Sequence, residues 1–97
     1  MSGDRLFIVA YDISDPRRWR RVFKTMHGYG EWVQLSVFQC RLSARRRAEL
    51  ETSLRALVKP GEDHVLLIDV GPADTTKLAI ASIGKTFSSI ERRAIVI

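Results

Sequence analysis

The stretch RLFIVAYDISDPRRWRR, Arg5 to Arg21, decides how the chain must be read. Its opening, RLFIVAY, is a nearly continuous apolar run, too short for an average helix and rich in strand formers. Period 2 places Leu6, Ile8, Ala10 and Asp12 on one face of this strand, with Phe7, Val9, Tyr11 and Ile13 on the other. Both faces are apolar until Asp12. Asp15-Pro16 then reads as an N-cap followed by the first helical residue. Trp19, Val22, Phe23 and Met26 recur at helical spacing and form one stripe. Arg17, Arg18, Arg20, Arg21 and Lys24 spread over the other side, and Gly28 and Gly30 supply a stop.

Beyond the helix, WVQLSVFQCRL (32–42) is strand-like, but its apolar phase changes. Val33, Leu35 and Val37 share one face; Phe38, Cys40 and Leu42 take the other. A bulge or sharp bend near 36–38 produces such a slip. No Gly, Pro, Asn or Asp marks a hairpin there, so one bent strand and two strands both remain open. Ser43 can cap a second helix over roughly 44–58, with Leu50, Leu54, Leu57 and Val58 as its stripe and Pro60-Gly61 as its end. HVLLIDV (64–70) reads as a third buried strand, LAIASI (78–83) as a short one and AIVI (94–97) as a last one.

Strand, helix, strand or strands, helix, strand gives an α+β sandwich of the ferredoxin-like type, with an antiparallel sheet and extra C-terminal strands. At 97 residues the chain is one domain, 1–97, with a core of about 4–70 and extra strands in about 71–97. Two helices cover only one face of a sheet, yet the first strand and HVLLIDV are apolar on both. A second copy is the economical cover, so a homodimer through the sheet face is expected.

The net charge is +5, and it is uneven. Residues 1–60 hold twelve Lys/Arg against six Asp/Glu, whereas residues 61–97 hold four against five. Twelve of the sixteen basic residues are arginine, whose planar fork fits phosphate oxygens. A polyanionic partner follows, nucleic acid before membrane. No run approaches the ~20 apolar residues of a membrane span. The single cysteine, Cys40, falls in an apolar strand phase and is expected to pack. The expected compartment is cytoplasmic.

Asp12 is the sharpest candidate. Asp15 is better placed to cap the helix, which leaves Asp12 free for a hard cation such as magnesium. One carboxylate is thin for a metal site, and a two-fold axis would supply a second. Arg17 and Arg18 in the first turn of helix one, and Arg45, Arg46 and Arg47 in that of helix two, oppose the helix dipole, which points to a bound anion. The nucleic-acid surface is therefore expected at Arg17, Arg18, Arg20, Arg21 and Arg45–Arg47. His27 and His64 lie far apart in sequence and form no ligand motif; Asp69 is the fallback carboxylate.

YDISDPRR (Tyr11–Arg18) after an apolar strand, joined by VQLSVFQC (Val33–Cys40), resembles the CRISPR-associated family Cas two (Cas2), the small partner of the integrase Cas one. The resemblance covers about four-fifths of the chain. It implies a ferredoxin-like homodimer whose C-terminal strands add to the partner's sheet, which makes about 71–97 a C-terminal dimer-strand region. It also implies magnesium at facing copies of Asp12, as metal ligand and catalytic residue, and maps the family's S-V-F turn onto Ser36, Val37 and Phe38. Tyr11, Ser36 and Phe38 are the cleft-lining candidates, with two readings open from the residues alone: Tyr11 as core with its hydroxyl hydrogen-bonded or in touch with substrate, and Ser36 bonded to local backbone or lining the cleft. The family's basic residues map onto Arg17 and Arg18; the charge often found before V-Q is replaced here by Trp32 after Glu31. Some members are described as metal-dependent endonucleases on single-stranded RNA or on DNA, and in spacer acquisition the dimer holds a duplex between two integrase dimers. The alternatives are a non-catalytic duplex-DNA scaffold and, from fold similarity alone, a toxin-like messenger-RNA ribonuclease.

Overall fold

A computed structural model describes residues 3–85. The apolar run forms β1 (Arg5–Asp12), in which Phe7, Val9 and Tyr11 are buried and the residues between them are not. The Asp15 side chain caps α1 (Pro16–Met26), accepting from the Arg18 N–H at 3.0 Å. Ser43 caps α2 (Ala44–Leu57) in the same way, accepting from the Arg46 N–H at 3.1 Å. Between the helices run β2 (Glu31–Gln34) and β3 (Val37–Leu42), and β4 (His64–Pro72) follows α2.

The strands make one antiparallel sheet in the order β2-β3-β1-β4. Phe7, Val9 and Tyr11 of β1 and Phe38, Cys40 and Leu42 of β3 meet Val22 and Met26 of α1 and Leu50 and Leu54 of α2 in one core. This is the ferredoxin-like α+β arrangement.

The stretch 32–42 is two strands. Leu35, at φ 41, is the one non-glycine with positive φ among the described residues, and it turns the chain without a turn-forming residue. A side chain there costs roughly 1–2 kcal/mol. Hydrogen bonds hold the turn against that strain: Trp32 Nε1 donates to Leu35 O at 3.0 Å, and Tyr11 N–H donates to Ser36 O at 3.1 Å. The phase slip seen in the sequence is this reversal, with a further bulge between Trp32 and Gln34.

Three expectations need correction. Gly28 and Gly30 are not left-handed stops: α1 ends at Met26 with His27 as its cap. Gly30 is required because a Cβ there would collide with Cys40 Sγ and Gln39 O. Residues 78–83 are irregular. The chain leaves β4 through a turn in which Thr75 and Thr76 N–H donate to Pro72 O, and among the described residues no strand pairs with 78–83. Strand formers that pair with no neighbouring strand do not make a strand, and Ile80 and Ile83 stay exposed. Finally, β4 is not a buried strand within this chain: Val65 and Leu67 are half-buried against the core, and Leu66 and Ile68 are 51% and 45% exposed on the other face, the one a second copy is expected to cover. The AIVI segment lies outside the described residues.

Candidate functional site

Asp12 closes β1 on the face turned away from the helices, in phase with Leu6, Ile8 and Ala10. The chain then bends inward, because the Ser14 N–H and hydroxyl both donate to Asp63 Oδ1 at 3.1 Å. The Leu35–Ser36 turn reaches the same end of the sheet through its bond from Tyr11 N–H. His64, the first residue of β4, lies directly opposite Asp12 in the β1–β4 register. Directly opposed residues of an antiparallel pair project on one face with Cβ atoms ~4.5–5.5 Å apart. Asp12 and His64 are both exposed, side by side.

What sets Asp12 apart is the state of the other carboxylates. Asp63 accepts from Arg18 Nε at 2.8 Å and from the Lys59 N–H at 2.9 Å. The Arg18 guanidinium holds the Asp63 carboxyl well below the usual carboxylate range. Asp69, the fallback candidate, accepts from Arg5 Nε at 2.7 Å and from the Gly71 N–H at 3.0 Å. Arg5 lowers its pKa in turn. Asp4 and Asp74 pair with Arg41, Asp15 caps α1, and Glu31 accepts from Gln39. Glu49, Glu51 and Glu62 all form ion pairs. Among the described residues, only the Asp12 carboxylate has no hydrogen bond or ion pair.

The cations divide as sharply. Arg18, expected as a phosphate fork, is engaged with Asp63 and Glu62. The cluster on α2 is also engaged: Arg45 and Arg46 with Glu49, and Arg47 with Glu51 at 2.9 Å. Arg46 further donates to Gly28 O at 2.7 Å and lies 4.2 Å over the Tyr29 ring. Their place against the helix dipole is thus answered inside the molecule, by glutamates one turn on, and calls for no bound anion. Arg17, Arg20, Arg21 and Lys24 differ. They carry no ion pair among the described residues and together line one shallow depression on the outer side of α1.

Two residues expected in the cleft belong to the core. Phe38 is 0% exposed, and Tyr11 is buried between Trp19 and Phe38. Ser36 anchors the turn, its Oγ accepting from Trp19 Nε1 at 2.8 Å. Cys40 packs as expected, and burial pushes its thiol pKa up to about 12, so it is no nucleophile at neutral pH. His64, set aside in the sequence for want of a ligand motif, and Asp63, which the sequence did not single out, reach the site only through β4 and the loop before it. No local pattern marks either one.

The model of the family described as "CRISPR associated protein Cas2" matches residues 5–77. The chain belongs to the Cas2 family. It is 53% identical to the "CRISPR-associated endoribonuclease Cas2 1" of Rhodospirillum rubrum over 99% of this chain and 94% of that protein. It is also 53% identical to the "CRISPR-associated endoribonuclease Cas2" of Geobacter sulfurreducens, over 97% and 99% of the two chains. Among solved structures, a crystal structure of a Cas2 protein aligns at TM-score 0.70 and 34% identity, covering 86% of this chain and 92% of that one. A hypothetical protein from Thermus thermophilus aligns at TM-score 0.75 and 34% identity, covering 89% of this chain and all of that one. The two solved structures share the fold of this chain. No helix among the described residues is long and apolar enough to cross a membrane.

Proposed function

We propose that this Cas2 chain binds nucleic acid and hydrolyses phosphodiester bonds at a divalent cation, magnesium or another hard ion, held by Asp12. Its substrate class is single-stranded RNA first and DNA second, in line with the endoribonuclease names of its relatives. The observation that carries this reading is the uncommitted Asp12 carboxylate, the other carboxylates among the described residues all being engaged. A free, exposed oxygen donor at a strand end suits a hard cation, which takes one or two protein carboxylates and fills its shell with water and substrate phosphate. Such a cation, when bound, activates water and offsets charge on the scissile phosphate.

The chain's own contribution is positional. Asp12 supplies one ligand per copy, and a homodimer through the open sheet face would bring two of them to a shared site. Arg17, Arg20, Arg21 and Lys24 hold flanking phosphates as forks and point charges. In spacer acquisition the same surface would seat a duplex beside the integrase partner Cas one.

The test is cleavage of labelled RNA and DNA with and without magnesium, comparing wild type with Asp12→Asn. Loss on the order of a hundredfold or more in the variant is expected; unchanged cleavage by it overturns the mechanism. A second reading, a duplex-binding scaffold that cuts nothing, is favoured by the α1 cations, which depend on neither Asp12 nor a metal. It holds if wild type binds duplex yet cleaves neither substrate.

A further inference from the structure

The sequence offers two histidines, and the fold treats them differently. His27 caps the far end of α1, with its ring edge-on to Phe23 and Phe38 at 4.7 and 5.1 Å. The His64 side chain makes no hydrogen bond, ion pair or ring contact among the described residues, although the residue opens a strand in the sheet. Its register partner is Asp12, the one uncommitted carboxylate among the described residues. The two side chains therefore project from one end of one sheet face, both exposed.

A structural role explains neither residue. Neither caps a helix or covers the core, and a cross-strand Asp–His pair left exposed adds little stability. As donors they are complementary. A carboxylate oxygen and an imidazole nitrogen on opposed positions of adjacent strands can converge on one ion with only side-chain rotation. Both are held on strand residues, which fixes their spacing better than a loop does.

We propose that His64 is the second donor of the cation site at Asp12, making it a mixed carboxylate–imidazole site that prefers a first-row transition cation such as Mn²⁺ to Mg²⁺. This rests on the reading of Asp12 given above and extends it to the identity of the ion. Magnesium takes oxygen donors and dehydrates reluctantly, so an imidazole gains it little. First-row divalent ions accept imidazole nitrogen readily, and Mn²⁺ also keeps the oxygen preference that water and phosphate impose on the rest of the shell.

The experiment uses the untagged full chain and Mn²⁺ itself, followed by electron paramagnetic resonance, with Mg²⁺ as competitor. Wild type is expected to bind Mn²⁺ several-fold tighter than Mg²⁺ and to show nitrogen modulation from one histidine in the electron spin echo. His64→Leu should lose that modulation and at least about tenfold in Mn²⁺ affinity, with little change for Mg²⁺. His27→Gln should keep both. Thermal melts check that each variant folds. If His64→Leu binds Mn²⁺ like wild type and keeps the nitrogen signal, the role of His64 is overturned while Asp12 stands. If Asp12→Asn also leaves binding unchanged, the Asp12 reading itself fails.

Discussion

At the scale of single residues, two buried polar groups have opposite fates, and each gives a prediction. The Tyr11 hydroxyl is buried with no hydrogen-bond partner, and burial pushes its pKa above the ordinary phenol value. An unsatisfied hydroxyl in a core costs more than it returns, so Tyr11→Phe should stabilise the protein by about 1 kcal/mol. A thermal melt should rise by several degrees, on the order of 5 °C for a domain of this size; a fall would mean the hydroxyl has a partner after all. Asp63 is the converse case. Arg18 and two backbone N–H groups hold its pKa below that of an unfolded aspartate. A carboxyl depressed on folding stabilises fully above its unfolded pKa of about 4, and that support is lost as pH falls toward the folded value. Asp63→Asn should therefore melt lower than wild type at pH 7, with the gap closing as the solution is acidified below about pH 4. Parallel melting curves across that range would rule out the pair as a source of acid sensitivity.

At the scale of elements, the two helices look alike in sequence and differ in the folded chain. Both open on arginines, but Arg45, Arg46 and Arg47 meet glutamates on their own helix, whereas Arg17, Arg20, Arg21 and Lys24 meet none. Each phosphate neutralised contributes ~0.9 to the salt dependence of duplex binding. Arg20→Ala with Arg21→Ala should flatten the log–log salt slope by up to about 2, while Arg45→Ala with Arg47→Ala should leave it within error. Equal losses from the two pairs would return α2 to the binding surface. The contrast marks what a sequence can and cannot carry. Strand β1, the Asp15 and Ser43 caps and the stripes of α1 and α2 rest on periodicity within a few residues, so they were legible. The split at Leu35 was not, because a leucine at positive φ carries no local signal and depends on bonds from Trp32 and Tyr11. The Arg18–Asp63 pair joins residues 45 apart, and Asp12–His64 depends on which strands are neighbours. Long-range pairing decides both, and it is absent from any window.

At the scale of the whole molecule, the open sheet face ties the candidate site to assembly. Leu66 and Ile68 stand half exposed beside Leu6, Ile8 and Ala10, and Asp12 and His64 occupy the end of that same face. Covering the face with a second copy would remove the apolar surface from water at roughly 25 cal/mol per Å². By symmetry the cover would also bring the partner's copies of Asp12 and His64 to the same interface. Assembly and cation binding should therefore fail together. Ile68→Asp places a charge on the face without touching the core or the site. Light scattering should give wild type twice the 11.0 kDa chain mass and the variant a single 11.0 kDa chain, with an unchanged circular-dichroism spectrum. If each ion is shared between two Asp12 carboxylates, the folded monomer should also bind divalent cation at least about tenfold more weakly. A variant that stays dimeric would place the interface elsewhere, for instance along the outer edge of β4, which pairs with no other strand among the described residues. A monomer with undiminished cation affinity would make each chain's Asp12–His64 pair a complete site by itself.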